Sequence, residues 1–359
     1  MDFGTKLKQL HQIYESLYDE ESKAIFEARY KYSMGCISWA QMCDSIFPYI
    51  KNRQWHSIGF TNYFHSYEDA KQAEYIIFGA GDRGYISYML LNSLGFKVSA
   101  FTDNDKSKQN TKFCGLPVIS PFEAVTKYKD SYILVAVLDL TAQASIFRQL
   151  LLYNINPAHI LILRGGAAWG FCGITYFDFP AFKPSEDEVF IDCGCYNGET
   201  VFDFLNWNKG KYRKIYAFEP DSNNYEICQE QLKDVQNISL IKSGLWKSNT
   251  NVSFSEDSND SSKITKNGLS QIEVRTIDSV LSGDKASFIK MDIEGSELEA
   301  LEGAINTIIN YRPKLAISVY HNRKDLFSIA LFLKELVDDY KFGLRTYSSI
   351  GADTILYAW

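Results

Sequence analysis

Residues 188–204 read EVFIDCGCYNGETVFDF. An apolar run, Val189 to Ile191, meets an acid at Asp192 and turns through Gly194 and Gly198 into a segment of helical character. A strand that ends in a glycine turn and opens a helix gathers backbone N–H groups and the positive end of the helix dipole at one spot, the geometry that receives a nucleotide cofactor. The same design stands earlier in the chain, in EYIIFGAGDRGYISYML at 74–90. There Gly79, Gly81 and Gly84 spell GxGxxG, and Asp103, 24 residues beyond Gly79, ends the next strand at the spacing expected for a ribose hydroxyl contact.

The two loops differ in charge. The second reads DxGxxxG, and a carboxylate directed at a pyrophosphate would repel it, whereas one directed at an ammonium group would attract it. Asp192 therefore implies a nucleoside cofactor with a cationic tail and no phosphates, which S-adenosylmethionine satisfies. Glu219 ends the stretch IYAFEP 25 residues after Gly194 and is expected to accept both ribose hydroxyls.

Composition narrows the class. The chain has 359 residues, enough for two domains. Its net charge of −7 lacks the basic balance of a backbone-driven nucleic-acid binder. Seven cysteines include no CxxC pair, so zinc ribbons and disulfide frameworks are not expected; the CxC of Cys193 and Cys195 reads as free thiols rather than a metal or redox site. The N-terminus has no signal-peptide core, and no apolar run approaches the ~20 residues that span a bilayer, so a cytoplasmic protein is expected.

Hydrophobic periodicity divides the chain. Residues 1–70 read as a helical segment, with YDEES at 18–22 suited to a helix start. Residues 71–165 alternate strand and helix as a Rossmann-like nucleotide or nucleotide-sugar-binding unit, 166–187 read as a linker too aromatic to be free and therefore packed on another surface, and 188–359 as a second alternating unit. Near-continuous apolar strands imply parallel sheets buried on both faces. The fold class is α/β: two Rossmann-like domains, the second a mostly parallel sheet with an antiparallel edge strand, after an N-terminal helical segment. The polar stretch 247–270 is the loosest part and reads as a mobile loop or solvated surface.

The stretches VFIDCGCYNGETVFDF, YAFEPD, IEVRTIDSV, FIKMDIEGSELEALEGA and LAISVYH, in that order, resemble the FkbM family of S-adenosylmethionine-dependent methyltransferases over roughly 185–359. YIIFGAGDRG and the helices around YESLYDEESKAIF resemble N-terminal parts of some polysaccharide-cluster members. The resemblance implies a class I methyltransferase fold and O-methylation, often of a sugar or polyketide hydroxyl. It implies a cofactor loop at Asp192, Gly194, Tyr196, Asn197, Gly198 and Thr200, a ribose acid at Glu219, and adenine contacts at Ser243, Gly244 and Leu245. One departure is Thr346 in LRTYSS, where polysaccharide-type relatives often carry a histidine.

Methyl transfer to an alcohol needs in-line approach and a group to take the departing proton; a positioned base contributes about 10²–10⁴-fold. His321, ending LAISVYH, is the expected base because its ordinary pKa lies near neutrality. Asp292, ending FIKMD, is expected to contact the cofactor's methionine portion or orient the acceptor, with Glu294 beside it. Asp292 and Glu294 with Asp278 or Asp192 form the alternative of a magnesium site, but a metal is not the expected cofactor. Exocyclic amines are commonly methylated beside an Asn/Asp-Pro-Pro-aromatic turn; the corresponding place reads DIEGSE, so a hydroxyl acceptor on a small molecule or glycan is expected, with neither nucleic acid nor a membrane span. The first loop has no YxxxK pair after it, which argues against a short-chain epimerase. Two other functions stay open: a nicotinamide-dependent oxidoreductase acting on a nucleotide sugar, and a non-catalytic nucleotide-binding scaffold.

Overall fold

The computed structural model describes residues 3–57, 63–137, 139–162, 175–255, 263–264, 270–348 and 353–359. They fall into two compact units: Met1–Cys36 with Ile174–Arg345 and Asp353–Trp359, and Ile37–Gly173 with Thr346–Ala352. Among the described residues no helix is long and apolar enough to cross a membrane.

The smaller unit is built on strands β1 (Glu74–Phe78), β2 (Lys97–Thr102), β3 (Thr111–Phe113), β4 (Leu116–Ile119), β5 (Tyr132–Val135) and β6 (Ile160–Ile162), in the order β3-β4-β2-β1-β5-β6. All neighbouring pairs are parallel except the β3–β4 hairpin, which the periodicity did not reveal. Alternation along β1 explains its position at the centre. Tyr75 and Ile77 enter one apolar cluster, Ile76 and Phe78 another, so both faces are covered.

The larger unit carries β7 (Val189–Cys193), β8 (Lys214–Phe218), β9 (Ile238–Ile241), β14 (Phe288–Met291), β15 (Lys314–Ser318), β16 (Phe342–Thr346) and β17 (Thr354–Ala358), ordered β16-β17-β15-β14-β7-β8-β9. β7, β14 and β17 are buried along their whole length and β15 along all but its first residue, Lys314, which is why their sequences lack a polar alternation. β17 runs antiparallel to β15 and lies one place in from the edge strand β16.

Three expectations need correction. The helical segment 1–70 does not stay together: Phe3–Glu15 and Glu20–Ser33 belong to the larger unit, Trp39–Ser57 and Tyr67–Gln72 to the smaller. Asp19 caps Glu20–Ser33 by accepting from Ser22 N at 2.9 Å, and Arg345 Nη2 holds the same carboxylate at 2.6 Å. Second, the described part of the expected linker belongs to the larger unit, where Tyr176, Phe177, Phe179 and Phe182 are buried while 183–187 are exposed; 166–174 lie outside the described residues. Phe177 packs among Phe190, Phe204 and Phe288, while Phe179 stacks on Tyr357 with ring centres 4.3 Å apart. Gly343 makes room for it, since a Cβ there would stand 2.2 Å from the Phe179 ring. Third, part of the loose stretch is ordered. β10 (Gly244–Leu245), β11 (Thr250–Ser255), β12 (Lys263–Ile264) and β13 (Ser270–Arg275) form a separate sheet ordered β10-β13-β11-β12, with Phe254, Ile272 and Val274 as its core. Residues 256–262 and 265–269 lie outside the described residues. Ser270–Arg275 thus belongs to this small sheet and not to the main one.

Candidate active site

Parallel strands deliver their carboxyl ends to one edge of a sheet, where the following loops can meet a ligand. At that edge of the larger unit stand Asp192 and Gly194 from β7, Glu219 after β8, Asp292 and Glu294 after β14, and Tyr320 and His321 after β15. The antiparallel course of β17 brings its first flanking residue, Asp353, to the same edge.

The glycine turn is fixed by sterics. Gly194 has φ +81°, and a Cβ on it would lie 2.1 Å from the Asp292 carbonyl oxygen. Gly198 starts the helix Glu199–Trp207 with φ +89°. Between them Asn197 Oδ1 accepts from Glu199 N at 3.1 Å, and Thr200 sits half-buried in the first turn. Tyr196 is left-handed at φ +52°, which turns its N–H onto Glu219 Oε2 at 2.9 Å; Asp221 N donates to Glu219 Oε1 at 2.9 Å. Burial pushes the Glu219 carboxyl up to about 7, against the backbone N–H groups of Asp221 and Tyr196 that favour its ionised form.

Asp192 does not do what its sequence position suggests. It is fully buried, and Lys290 Nζ stands 3.0 Å from its Oδ1. The Lys290 ammonium also donates to the Gly194 carbonyl at 2.6 Å, so this buried pair clamps the base of the turn. Burial drives the Asp192 carboxyl up and Lys290 pulls it back. The carboxylate aimed at a ligand ammonium is therefore corrected to a carboxylate neutralised by lysine. The negative character of the edge comes instead from Asp292, Glu294, Asp353 and Glu219. It suits a sulfonium and an ammonium, and Lys290, engaged on both sides, is not offered to a phosphate. These residues fit S-adenosylmethionine.

The expected adenine contacts separate. Gly244 and Leu245 are buried in β10, paired with Val274 and Arg275. Ser243, 1% exposed, has a buried Oγ with no hydrogen-bond partner. Cys193 and Cys195 are buried thiols. Burial raises the first; a hydrogen bond with Cys228, 3.5 Å away, and burial raise the second.

The acceptor end gathers Asp292, Glu294 and His321. His321 Nε2 lies 3.4 Å from Asp292 Oδ1 and 3.5 Å from Glu294 Oε1, and its Nδ1 lies 3.0 Å from Glu297 Oε1. Tyr176 donates to Asp292 Oδ2 at 2.6 Å. Glu294 has φ +57° and Gly295 φ +95°, which turns the DIEG loop back into the site. Burial disfavours the charged imidazole, but the Glu294 and Glu297 carboxylates and the Asp292 charge outweigh it and raise His321 to about 11. A ring that already holds its proton does not take another, so the expected base is corrected: in this setting His321 is a charge partner. Asp278 and Asp192 do not join the cluster. Asp278 binds Asn306 and Thr307, and Asp192 binds Lys290.

Asp353 was not recognised from sequence. Its carboxyl is raised to about 7, by burial first and by the Asp292 charge second, and its Oδ2 is buried without a partner. The only signal was its place before the last strand, which becomes informative once that strand is known to be antiparallel. Thr346, the departure noted above, is buried at the end of β16.

In the smaller unit Gly79 has φ +115°, and a Cβ on Gly84 would stand 1.9 Å from the Gly79 carbonyl oxygen. Asp103 Oδ2 accepts from Ala80 N at 2.9 Å and pairs with Lys108 Nζ at 3.2 Å. Gly81 caps the following helix in extended backbone with open space beside it.

Residues 192–340 match the methyltransferase FkbM domain family, and residues 71–161 match the family described as C2185-like, N-terminal. No curated protein matches the sequence. Among solved structures, methyltransferase FkbM from Methylobacillus flagellatus KT is similar over 81% of this chain and 90% of its own, at 23% identity and a TM-score of 0.50, a likeness of fold. An rRNA methylase from Streptococcus thermophilus aligns over 49% of this chain and 87% of its own at 16% identity and TM-score 0.33. UDP-D-quinovosamine 4-dehydrogenase from Vibrio fischeri aligns over 26% and 79% at 24% identity and TM-score 0.23. The last two likenesses are too weak to bear on the fold. The sheet order, the clamped glycine turn, the acidic strand ends and the matched domain agree: the chain carries a methyltransferase FkbM domain over residues 192–340, the domain of an S-adenosylmethionine-dependent methyltransferase.

Proposed function

We propose that this methyltransferase acts on a hydroxyl group of a sugar, in the assembly of a surface polysaccharide. The observation that carries the reading is the convergence of Asp292, Glu294 and Asp353 at the acceptor end, with no proline-aromatic turn to cradle an amine. S-adenosylmethionine supplies an electrophilic methyl group. Tyr196, Asn197, Gly198 and Thr200 line the cofactor loop, Glu219 accepts from the ribose diol, and Ser243 Oγ meets the base. Asp353 Oδ2, buried and without a hydrogen-bond partner, is the oxygen free to take the hydroxyl proton. The imidazolium of His321 balances the charge that this proton acceptance requires. Asp353→Asn should lower turnover by about 10²–10⁴-fold with cofactor affinity retained.

The test is transfer of a labelled methyl group to a panel of glycan fragments and nucleotide sugars, read by mass spectrometry with localisation of the methyl on the product. Cofactor binding without transfer to any hydroxyl, or a methyl found on nitrogen, sinks the reading. For the smaller unit, a nucleotide or nucleotide sugar at Gly79, Gly81, Gly84 and Asp103 is the ligand the loop suits best. Calorimetry with nucleotide sugars tests it, and an unchanged heat after Asp103→Ala would remove that assignment. Cytoplasmic location accords with a nucleotide-activated acceptor.

A further inference from the structure

Asp292, Glu294 and His321 each turn one ligating atom toward the others, all within 4.8 Å. Three features make this more than a group of acids. His321 is nine-tenths buried, and its Nε2 and the facing Asp292 Oδ1 both lack a hydrogen-bond partner. The separations of 3.4 and 3.5 Å exceed the ~2.7–3.2 Å of a good N–H···O bond. They match the spacing of about 3–3.5 Å between ligand atoms that share one cation at roughly 2.1 Å. Finally, the supporting groups are in place. Glu297, 1% exposed, accepts from Ile293 N at 3.0 Å and holds its Oε1 3.0 Å from His321 Nδ1, which directs Nε2 inward. Tyr176 fixes Asp292 through Oδ2, leaving Oδ1 for the centre. A carboxylate behind a ligating histidine is the usual outer shell of a metal site.

We propose that a divalent cation displaces the Nε2 proton of His321 and binds Asp292, Glu294 and His321, with Glu297 and Tyr176 as the outer shell, and that the cation's remaining positions hold the acceptor hydroxyl. Two carboxylates with one imidazole suit a cation of the Mn²⁺ type, between the oxygen preference of Mg²⁺ and the nitrogen preference of Zn²⁺. Bound to it, the hydroxyl is more acidic. Its O–H bond breaks with the proton passing to Asp353, its oxygen forms the bond to the methyl carbon, and the carbon–sulfur pair departs with sulfur. The inference rests on the methyl-transfer reading of this edge.

The test is titration of the full chain with Mn²⁺, following the free-ion electron paramagnetic resonance signal, in parallel with calorimetry of S-adenosylmethionine. Loss of the free signal over the first equivalent supports the site, as does a tenfold or greater weakening in Glu294→Gln and a weakening of about 10–100-fold in Glu297→Gln. Circular dichroism confirms that each variant is folded, and His321→Gln serves as an independent ligand change. Mn²⁺ that stays free in the wild-type protein, or binds equally to the folded Glu294→Gln and His321→Gln variants, overturns the cation. Cofactor binding without Mn²⁺ retention overturns the cation and spares the methyl-transfer reading; Mn²⁺ retention without cofactor binding supports the cation and overturns that reading.

Discussion

The two glycine loops are built alike and equipped differently. In each, the acid ending the second strand accepts the N–H of a residue just past the first glycine: Asp103 from Ala80 at 2.9 Å, Glu219 from Tyr196 at 2.9 Å. In each, one glycine is forced by a carbonyl oxygen pressed against its Cα, Gly79 O on Gly84 and Asp292 O on Gly194. The difference lies in what surrounds the turn. Asp103 is met by Lys108, whereas Glu219 is buried and faces an edge with Asp292, Glu294 and Asp353. A shared backbone design therefore fixes where a ligand can sit. The charges brought by other strands decide which ligand that is and whether chemistry follows.

Glycine substitutions press hardest on this comparison. Gly194→Ala should abolish cofactor binding and destabilise the larger unit by several kcal/mol, since it adds left-handed strain of about 1–2 kcal/mol to a collision with Asp292 O. Gly84→Ala should unfold the smaller unit to a similar degree with cofactor affinity kept, as read by denaturant titration and calorimetry. If Gly194→Ala binds cofactor normally, the clamp is not what shapes the turn. Next in size, Lys290→Met leaves a buried carboxylate unpaired and should cost about 3–5 kcal/mol in chemical denaturation. Adding Asp192→Asn should restore most of that loss, and the absence of such recovery would show that Lys290 acts through Gly194 O alone.

Smaller effects separate the two acids. Glu219→Gln should weaken S-adenosylmethionine by about 1–3 kcal/mol, the cost of a lost hydrogen bond to a charged group, while Asp103→Asn leaves it unchanged. The ribose diol donates to the ionised Glu219, whose carboxyl is raised to about 7. Cofactor affinity should therefore be full above pH 7 and fall as pH drops through 7, approaching tenfold per unit, with the slope abolished in Glu219→Gln. Affinity that is flat in the wild type would place the diol elsewhere. The smallest expected effect is that of Gly81→Ala, which meets open space in extended backbone and should shift stability by less than about 0.5 kcal/mol.

Much of this was readable before any coordinates. Strands at Val189–Cys193, Lys214–Phe218, Phe288–Met291, Lys314–Ser318 and Thr354–Ala358 announced themselves as short apolar runs, because a strand buried on both faces is largely apolar. Their ends supplied Glu219, Asp292, Glu294 and His321, because strand ends are where a parallel sheet presents polar groups. The aromatic stretch at 175–187 was expected to pack, but a segment without period gives no sign of which surface it will cover. Ser270–Arg275 reads as any other strand, and nothing local assigns it to the smaller sheet.

The sequence by itself determined the element order, the two glycine turns and the acids at their strand ends, since these follow from local sterics and from the spacing of apolar residues along the chain. Only the tertiary structure decided the charge of each acid. Lys290, 98 residues from Asp192, neutralises it across neighbouring strands. Three carboxylates hold the proton on His321, and Asp353 reaches the site only because its strand runs backwards. Electrostatic energy depends on distance through space, and that distance is set by which strands become neighbours.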